Sequence, residues 1–266
     1  AKAKIAEERG MKQAIRALSI ATKILWTLVI IFSLTAVYSA ASLRIGLGEP
    51  KTSFSNGIIA LSIPMFINNT GFYEIANLNI TTHLEDRYGK TVSTSTTIVP
   101  TIPPSNNVQK AHSITLNLTN LANEFPYLAF NDTVFGMHTF VALRFADVIP
   151  IQMSANGTIP WGAPFYNFSI GKISFDYAQM KVAVPLTFEN HAFFSINGTM
   201  RLEIYNNKNE KISATNIMID ALPGFRFEGI MEMSVDLSKL THEGQIYVFF
   251  ETPVLSVGPI IKSWAI

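Results

Sequence analysis

The chain has 266 residues, 48% hydrophobic and only 15% charged, with a formal net charge of +1. The charged share lies below the roughly 25% usual in soluble domains, and so small a net charge excludes a global field that recruits nucleic acid or another polyanion. Cysteine is absent, which excludes disulfides, thiolate catalysis and cysteine-ligated zinc or iron–sulfur centres.

Residues 1–23 read AKAKIAEERGMKQAIRALSIATK, a basic stretch with apolar positions at Ile5, Met11, Ile15, Leu18 and Ile20. This pattern predicts an amphipathic helix that lies on the inner membrane surface or runs into the next segment. That segment, residues 24–43, reads ILWTLVIIFSLTAVYSAASL and holds no charge. At 1.5 Å per residue it covers roughly the 30 Å hydrocarbon core of a lipid bilayer. Lys23 and Arg44 bound it, and Trp26 and Tyr38 lie toward its ends, where amphipathic rings favour the headgroup region. Lys2, Lys4, Arg9, Lys12, Arg16 and Lys23 precede the span, and only Arg44 and Lys51 follow it closely. The excess of basic residues predicts a cytoplasmic N-terminus and an extracellular remainder, in a cell-membrane protein. A cleaved secretory signal is the bland alternative, but its apolar core is usually about 7–15 residues. A pilin-type helix that leaves the membrane for a filament core is the other. Such helices usually begin almost at the mature N-terminus, whereas a polar stretch comes first here.

Beyond Gly48 short alternating apolar and polar runs are separated by Gly, Pro and Asn clusters, the pattern of antiparallel β structure. Leu78, Ile80 and Leu84 alternate in one run, Ile114, Leu116 and Leu118 in another, and Met200, Leu202 and Ile204 in a third. Residues 140–145 and 246–250 are more continuously apolar, as central strands are. Residues 118–125 and 237–242 each suit a short turn. The apolar run 254–266 places 254–257 in a last strand, with the rest packing on the fold or meeting another subunit.

This exterior repeats. Residues 64–75 read PMFINNTGFYEI and residues 185–196 read PLTFENHAFFSI, matching Pro64, Asn69, Phe72 and Ile75 to Pro185, Asn190, Phe193 and Ile196. Ile102-Pro103 answers to Leu222-Pro223, and Leu116, Asn117, Leu118 and Leu121 to Val235, Asp236, Leu237 and Leu240. An offset of about 120 residues exceeds that of solenoid repeats and suits tandem β-sandwiches. The expected fold is therefore all-β: two tandem immunoglobulin-like antiparallel β-sandwiches, residues 52–150 and 165–266, behind one transmembrane helix. Residues 151–164 read as the linker, with Gly and Pro concentrated in 154–164, and some of this stretch is open to assignment to the last strand of the first sandwich.

An apolar strand with a Pro, an Asn-rich turn carrying an aromatic, a second strand, then Ile102-Pro103-Pro104 and a Leu-x-Leu strand resemble the late-embryogenesis-abundant type 2 family, the water-stress and hypersensitive-response domain. The resemblance covers most of residues 54–255, more clearly in the first copy, since His191-Ala192 replaces Thr70-Gly71 in the second. It implies an immunoglobulin-like or fibronectin-like sandwich, often membrane-anchored and archaeal. It carries no shared catalytic residues, and hints at a stress-related or cell-surface role.

Asn-x-Ser/Thr occurs at Asn68, Asn79, Asn117, Asn131, Asn156, Asn167 and Asn197, where roughly three would arise by chance; as N-glycan acceptors these are the candidate modification sites. Many sequons without cysteine fit an archaeal surface protein better than a eukaryotic secreted one.

Little points to chemistry. The histidines His83, His112, His138, His191 and His242 show no helical zinc spacing. Residues 85–89, EDRYG, suit a hairpin turn better than an acidic site, and Asn206-Asn207-Lys208-Asn209 fills the same place in the second copy. No phosphate loop or nucleophile elbow is present. Phe72, Tyr73, Phe193 and Phe194 suit core packing more than a sugar platform, because they recur in both copies. No catalytic residue, metal or cofactor is expected. The sequence predicts a non-enzymatic surface glycoprotein whose partners are the bilayer, other protein subunits in a homo- or hetero-oligomer, and N-linked glycans, as an accessory subunit of a membrane or envelope assembly. Alternatives are a filament or surface-layer subunit, then a glycan- or ligand-binding module.

Overall fold

The computed structural model describes residues 2–253 and 255–265, with side chains described from Lys12 onward. The helix α1 (Lys2–Ala41) is followed by β1 (Leu43–Leu47), β2 (Lys51–Ser55), β3 (Ile58–Asn69), β4 (Ile75–Glu85), β5 (Thr91–Ile102), β6 (Asn106–Asn117), the short α2 (Leu118–Glu124), β7 (Thr133–Phe145) and β8 (Ile149–Trp161). A second series follows: β9 (Tyr166–Ile170), β10 (Ser174–Asp176), β11 (Lys181–Glu189), β12 (Ile196–Asn206), β13 (Lys211–Ala221), β14 (Arg226–Ser234), β15 (Glu243–Glu251) and β16 (Ser256–Ala265).

These strands form two tandem immunoglobulin-like antiparallel sandwiches. In the first, β3 pairs with β6 on one edge and with β1 and β2 on the other, facing a sheet of order β5-β4-β7-β8. In the second, β11 pairs with β14 and with β9 and β10, facing a sheet of order β13-β12-β15-β16. The repeated proline explains the split edge strand. The Pro64 carbonyl accepts the Gly48 N–H (2.7 Å) between β1 and β2, and the Pro185 carbonyl accepts the Gly171 N–H (2.8 Å) between β9 and β10.

The alternating positions face inward as their periodicity requires: Leu78, Ile80 and Leu84 in β4 and Met200, Leu202 and Ile204 in β12 are all buried. Residues 140–145 lie in β7, between β4 and β8, and residues 246–250 in β15, between β12 and β16. Both are central strands, in which Leu143, Phe145, Ile246, Val248 and Phe250 are buried and Phe140 is exposed.

Several boundaries move. The helix ends at Ala41, so Ser42 and Leu43 leave the expected span, and Leu43 begins β1 opposite Asn69. Arg44 likewise is a strand residue opposite Asn68. The first sandwich thus starts at Leu43 rather than at residue 52. Residues 151–161, read as linker, belong to β8, which pairs with β7 from Thr133↔Trp161 to Phe145↔Ile149. Alternation in that stretch is masked by its Gly and Pro, which sit on an edge strand where they are tolerated. Val254 lies outside the described residues, and the run read as packing beyond a last strand at 257 is itself strand β16.

The two hairpins read as turns are turns with one design. Asp86 Oδ1 accepts the N–H groups of Tyr88 and Lys90 (both 2.8 Å), and Asn206 Oδ1 those of Lys208 (3.0 Å) and Glu210 (2.9 Å). Each hairpin is tied to the segment between the sixth strand of its copy and the next strand: Tyr127, in a 3-10 turn after α2, donates to Asp86 Oδ2 (2.7 Å), and Asn206 Nδ2 donates to the Lys239 carbonyl (3.0 Å).

The copies differ in one layer of the core. In the first, buried His112 bonds Thr97 Oγ1 through Nδ1 and Thr82 Oγ1 through Nε2 (2.9 Å each), and Thr82 bonds Thr139 (2.9 Å). Strand registers place Met231, Ile217, Leu202 and Val248 at the corresponding positions of the second. A polar layer in one sandwich is apolar in the other.

Candidate functional site

The feature built twice is the turn after Asn69 and Asn190. Both asparagines are fully buried. Asn69 Nδ2 donates to the carbonyls of Tyr73 (2.9 Å), Ile102 and Pro103 (3.1 Å each), and its Oδ1 accepts the Gly71 N–H (3.2 Å). Asn190 Nδ2 donates to Phe194 (2.9 Å) and Ala221 (2.8 Å), and its Oδ1 accepts the Ala192 N–H (3.0 Å). A primary amide is the side chain that can donate twice and accept at once, so it can pin a turn to a neighbouring strand end. Replacing Thr70-Gly71 by His191-Ala192 therefore leaves the latch intact.

In the first copy this turn seats the helix. Ser39, fully buried, accepts the N–H groups of Phe72 (2.9 Å) and Tyr73 (3.3 Å) through Oγ. Thr35 Oγ1 and the Tyr73 hydroxyl are 2.7 Å apart, and Thr70 Oγ1 donates to the Ser42 carbonyl (2.8 Å). Phe32 meets Tyr73 edge-on at 5.4 Å, Tyr38 lies 5.3 Å from Phe72, and Ala36 joins the core with Met65, Ile67, Ile75 and Phe145. Positions 32, 35, 36 and 39 fall on one helical face. Helix residues 12–31 are exposed, including Ile24, Leu25, Trp26, Leu28 and Ile30.

In the second copy the same turn seats the first sandwich. Phe194 stacks on Phe54 at 4.6 Å, and the His191 N–H donates to the Ala163 carbonyl (3.0 Å). The His191 ring spans the junction: Nδ1 lies 2.6 Å from Asp132 Oδ2, Nε2 lies 3.2 Å from Glu189 Oε2, and the ring stacks on Tyr166 at 4.2 Å. The Asp132 hydrogen bond, with help from Glu189, raises the His191 pKa above the ordinary imidazole value. One core runs through the junction, from Leu121, Phe125, Leu128 and Trp161 to Phe165, Phe188 and Phe250.

Of the four conspicuous aromatics, Phe194 is core and Tyr73 is half-buried in the seat, while Phe72 and Phe193 are exposed. The core-packing reading holds for two of the four. Among the other histidines, His83 Nδ1 pairs with Thr94, and His138 pairs with Asn156 and lies 3.5 Å from Glu85. Burial lowers the pKa of His112. Among the described residues no group of three or more His, Asp or Glu side chains converges as a metal site would. At the far tip of the second sandwich an open concavity is lined by Asn207, Glu243, Tyr247 and Trp264. Trp264 is buried there and donates through Nε1 to the Tyr205 carbonyl (3.2 Å), so its face is no stacking platform.

All seven sequon asparagines lie in the sandwiches. Asn68, Asn117, Asn131, Asn156, Asn167 and Asn197 are exposed, and Asn79 is half-buried on central strand β4. Asn117 caps α2, accepting the Asn120 N–H (3.1 Å), and Asn131 Nδ2 donates to the Tyr127 carbonyl (3.0 Å). Of the residues expected at the membrane boundary, Lys23, Trp26 and Tyr38 are exposed on α1, and Arg44 is exposed on β1.

No family model matches the chain, and no curated protein does. Among solved structures it is similar to a red sea bream transglutaminase (14% identity, TM-score 0.32, 84% of this chain against 31% of that one). It is also similar to the periplasmic chaperone SfaE (11%, TM-score 0.29, 80% against 97%) and to a Mobiluncus mulieris adhesin (7%, TM-score 0.30, 78% against 80%). The chain spans about a third of the transglutaminase's length.

Proposed function

We propose that the chain is a membrane-anchored surface protein whose work is done by protein–protein contacts rather than catalysis. One observation carries this reading. A helix with exposed apolar residues before Phe32 is locked at its C-terminal end to a rigid tandem of sandwiches. A helix long and apolar enough to cross a membrane runs through residues 12–41. Its exposed leucines, isoleucines and valines need a covering that the other described residues do not supply, and lipid supplies it. The basic N-terminal segment sets the direction, with the sandwiches outside the cell. On that side the exposed sequons carry glycans, and the cystine-free cores hold the fold. The resemblance to the late-embryogenesis-abundant type 2 domain agrees with an anchored sandwich without catalytic residues. Other subunits of an envelope or membrane assembly are the partners.

Fractionation tests this reading. The full chain is expected to stay with membranes through alkaline carbonate washing and to co-purify with further subunits after mild detergent extraction. Release by carbonate, or recovery in sheared cell-surface fibres, contradicts it.

A further inference from the structure

The helix seat lies within the apolar run, not after it. Sandwich contacts begin at Phe32 and Thr35, whereas the charge-free run begins after Lys23. If the sandwich stood clear of the bilayer, only residues 24–31 would remain to cross it, roughly 12 Å of helix against a hydrocarbon core of about 30 Å. Sliding the helix outward would draw Lys23 and then Arg16 into the core, at about 2.5–3.5 kcal/mol each at its centre. Counting the seated part as well, residues 24–41 give about 27 Å, close to what is needed.

We propose that the helix-bearing end of the first sandwich is itself a lipid-contacting surface, with Phe72, Tyr38 and Val148 set in the interfacial layer of the bilayer. This rests on the membrane-anchor reading and adds where the sandwich sits.

The end of the sandwich has the right chemistry. Phe72 is 63% exposed, Tyr38 57% and Val148 73%, with Ile149 beside it. The β7–β8 turn that carries Val148 is tied to the seat by the Ala146 N–H donating to the Glu74 carbonyl (3.0 Å). Phe72 therefore forms one surface with the helix through its ring contact with Tyr38. Its repeat partner Phe193 instead meets its own neighbour Phe194 edge-on at 5.5 Å.

Desolvating the N–H groups of the turn is also inexpensive. The N–H groups of Gly71, Phe72 and Tyr73 are bonded to Asn69 or Ser39, and the Tyr73 carbonyl accepts from Asn69. Backbone groups satisfied internally can leave water at little cost, the condition that lipid imposes. Around this patch Arg44, Arg144 and Asp147 are exposed, at a level that suits zwitterionic and anionic headgroups.

Because the chain has no cysteine, single-cysteine variants carry a nitroxide at one place only. The full chain with Phe72→Cys, Val148→Cys, Leu28→Cys or Met218→Cys is spin-labelled and reconstituted in phosphatidylcholine–phosphatidylglycerol vesicles. Collision with oxygen and with a water-soluble nickel chelate is then measured. Leu28→Cys reports the anchor, and Met218→Cys, on the far sandwich, reports bulk water. The proposal expects nickel accessibility at 72 and 148 severalfold below that at 218, with oxygen accessibility retained. Position 148 makes none of the seat's contacts, so it still reports if Phe72→Cys loosens the helix. If 72 and 148 match 218 while 28 is oxygen-rich and nickel-poor, the anchor stands and this inference is overturned. If 28 is also open to nickel, the anchor reading falls with it. Low accessibility to both reagents at 72 and 148 means that protein, not lipid, covers the patch, and likewise overturns the inference.

Discussion

Ser39 and Gly71 pack so closely that a Cβ at position 71 would lie 2.9 Å from the Ser39 Cα and overlap its hydroxyl. Gly162 makes a comparable approach to the His191 backbone at the junction between the sandwiches. The same latched turn thus receives the preceding element twice, a helix in the first copy and a whole sandwich in the second.

Gly71→Ala is accordingly expected to unseat the helix, destabilising the seat by about 1–3 kcal/mol as overpacking does. Ser39→Ala is expected to cost about 1 kcal/mol or more, because two partly buried N–H groups lose their acceptor. Hydrogen exchange at Phe72 and Tyr73 in the detergent-solubilised chain measures both, and unchanged protection would count against the seat.

Asn190→Asp removes both donors while keeping size and shape. The Phe194 and Ala221 carbonyls lose their partner, and a buried carboxylate replaces an amide. A loss of at least about 2 kcal/mol is expected, lowering the melting temperature by roughly 8 °C or more if the second sandwich melts as a unit. Calorimetry reads this, and a shift under 2 °C would remove the latch from the account.

His191 and His112 push stability in opposite directions with pH. The folded-state pKa of His191 is raised, so its contribution is full below the ordinary imidazole value and fades as pH rises through the folded value. Because the pair is partly exposed, that contribution is at most about 1 kcal/mol. Asp132→Asn should bring the His191 titration, followed by proton NMR, back down. No movement would mean that Asp132 does not hold the imidazolium.

The pKa of His112 is lowered by burial. The unfolded chain therefore takes up the proton first, and the contribution, full above the ordinary imidazole value, is lost as pH falls through the window beneath it. Putting the second sandwich's residues into the first (Thr82→Leu, Thr97→Ile, His112→Met and Thr139→Val together) should flatten this acid limb in urea melts between pH 7 and 5. Equal steepness in parent and variant would exclude His112 as its source.

Glycan occupancy should follow the geometry of each amide. Asn156 and Asn167 are exposed and, among the described contacts, donate no bond through Nδ2, whereas Asn131 has its Nδ2 engaged and Asn79 sits on a central strand. Peptide mass spectrometry should find occupancy higher at the first pair than at the second. The reverse order would separate modification from exposure.

Much of this architecture was legible in sequence. The alternation of Met200, Leu202 and Ile204 needs only a period of two, and the paired asparagines and prolines expose the repeat. The strand at residues 149–161 was only partly legible, because Asn156-Gly157 and Pro160 resemble linker chemistry while serving an edge strand. The helix seat was hidden for another reason. Ala36 and Ser39 look like ordinary members of an apolar run, and only the fold reveals that Gly71 lies against Ser39 and that Ala36 enters the core. Likewise His191 carries no local motif, since its partner Asp132 is distant in sequence.

The central claim is a helix that crosses the membrane with the sandwiches outside. Gln13→Cys and Met218→Cys, each probed in intact cells with a membrane-impermeant maleimide, test it most directly. A cytoplasmic N-terminus with extracellular sandwiches requires labelling at 218 in intact cells and at 13 only after lysis. Labelling at both positions in intact cells, or at neither until lysis, would contradict it.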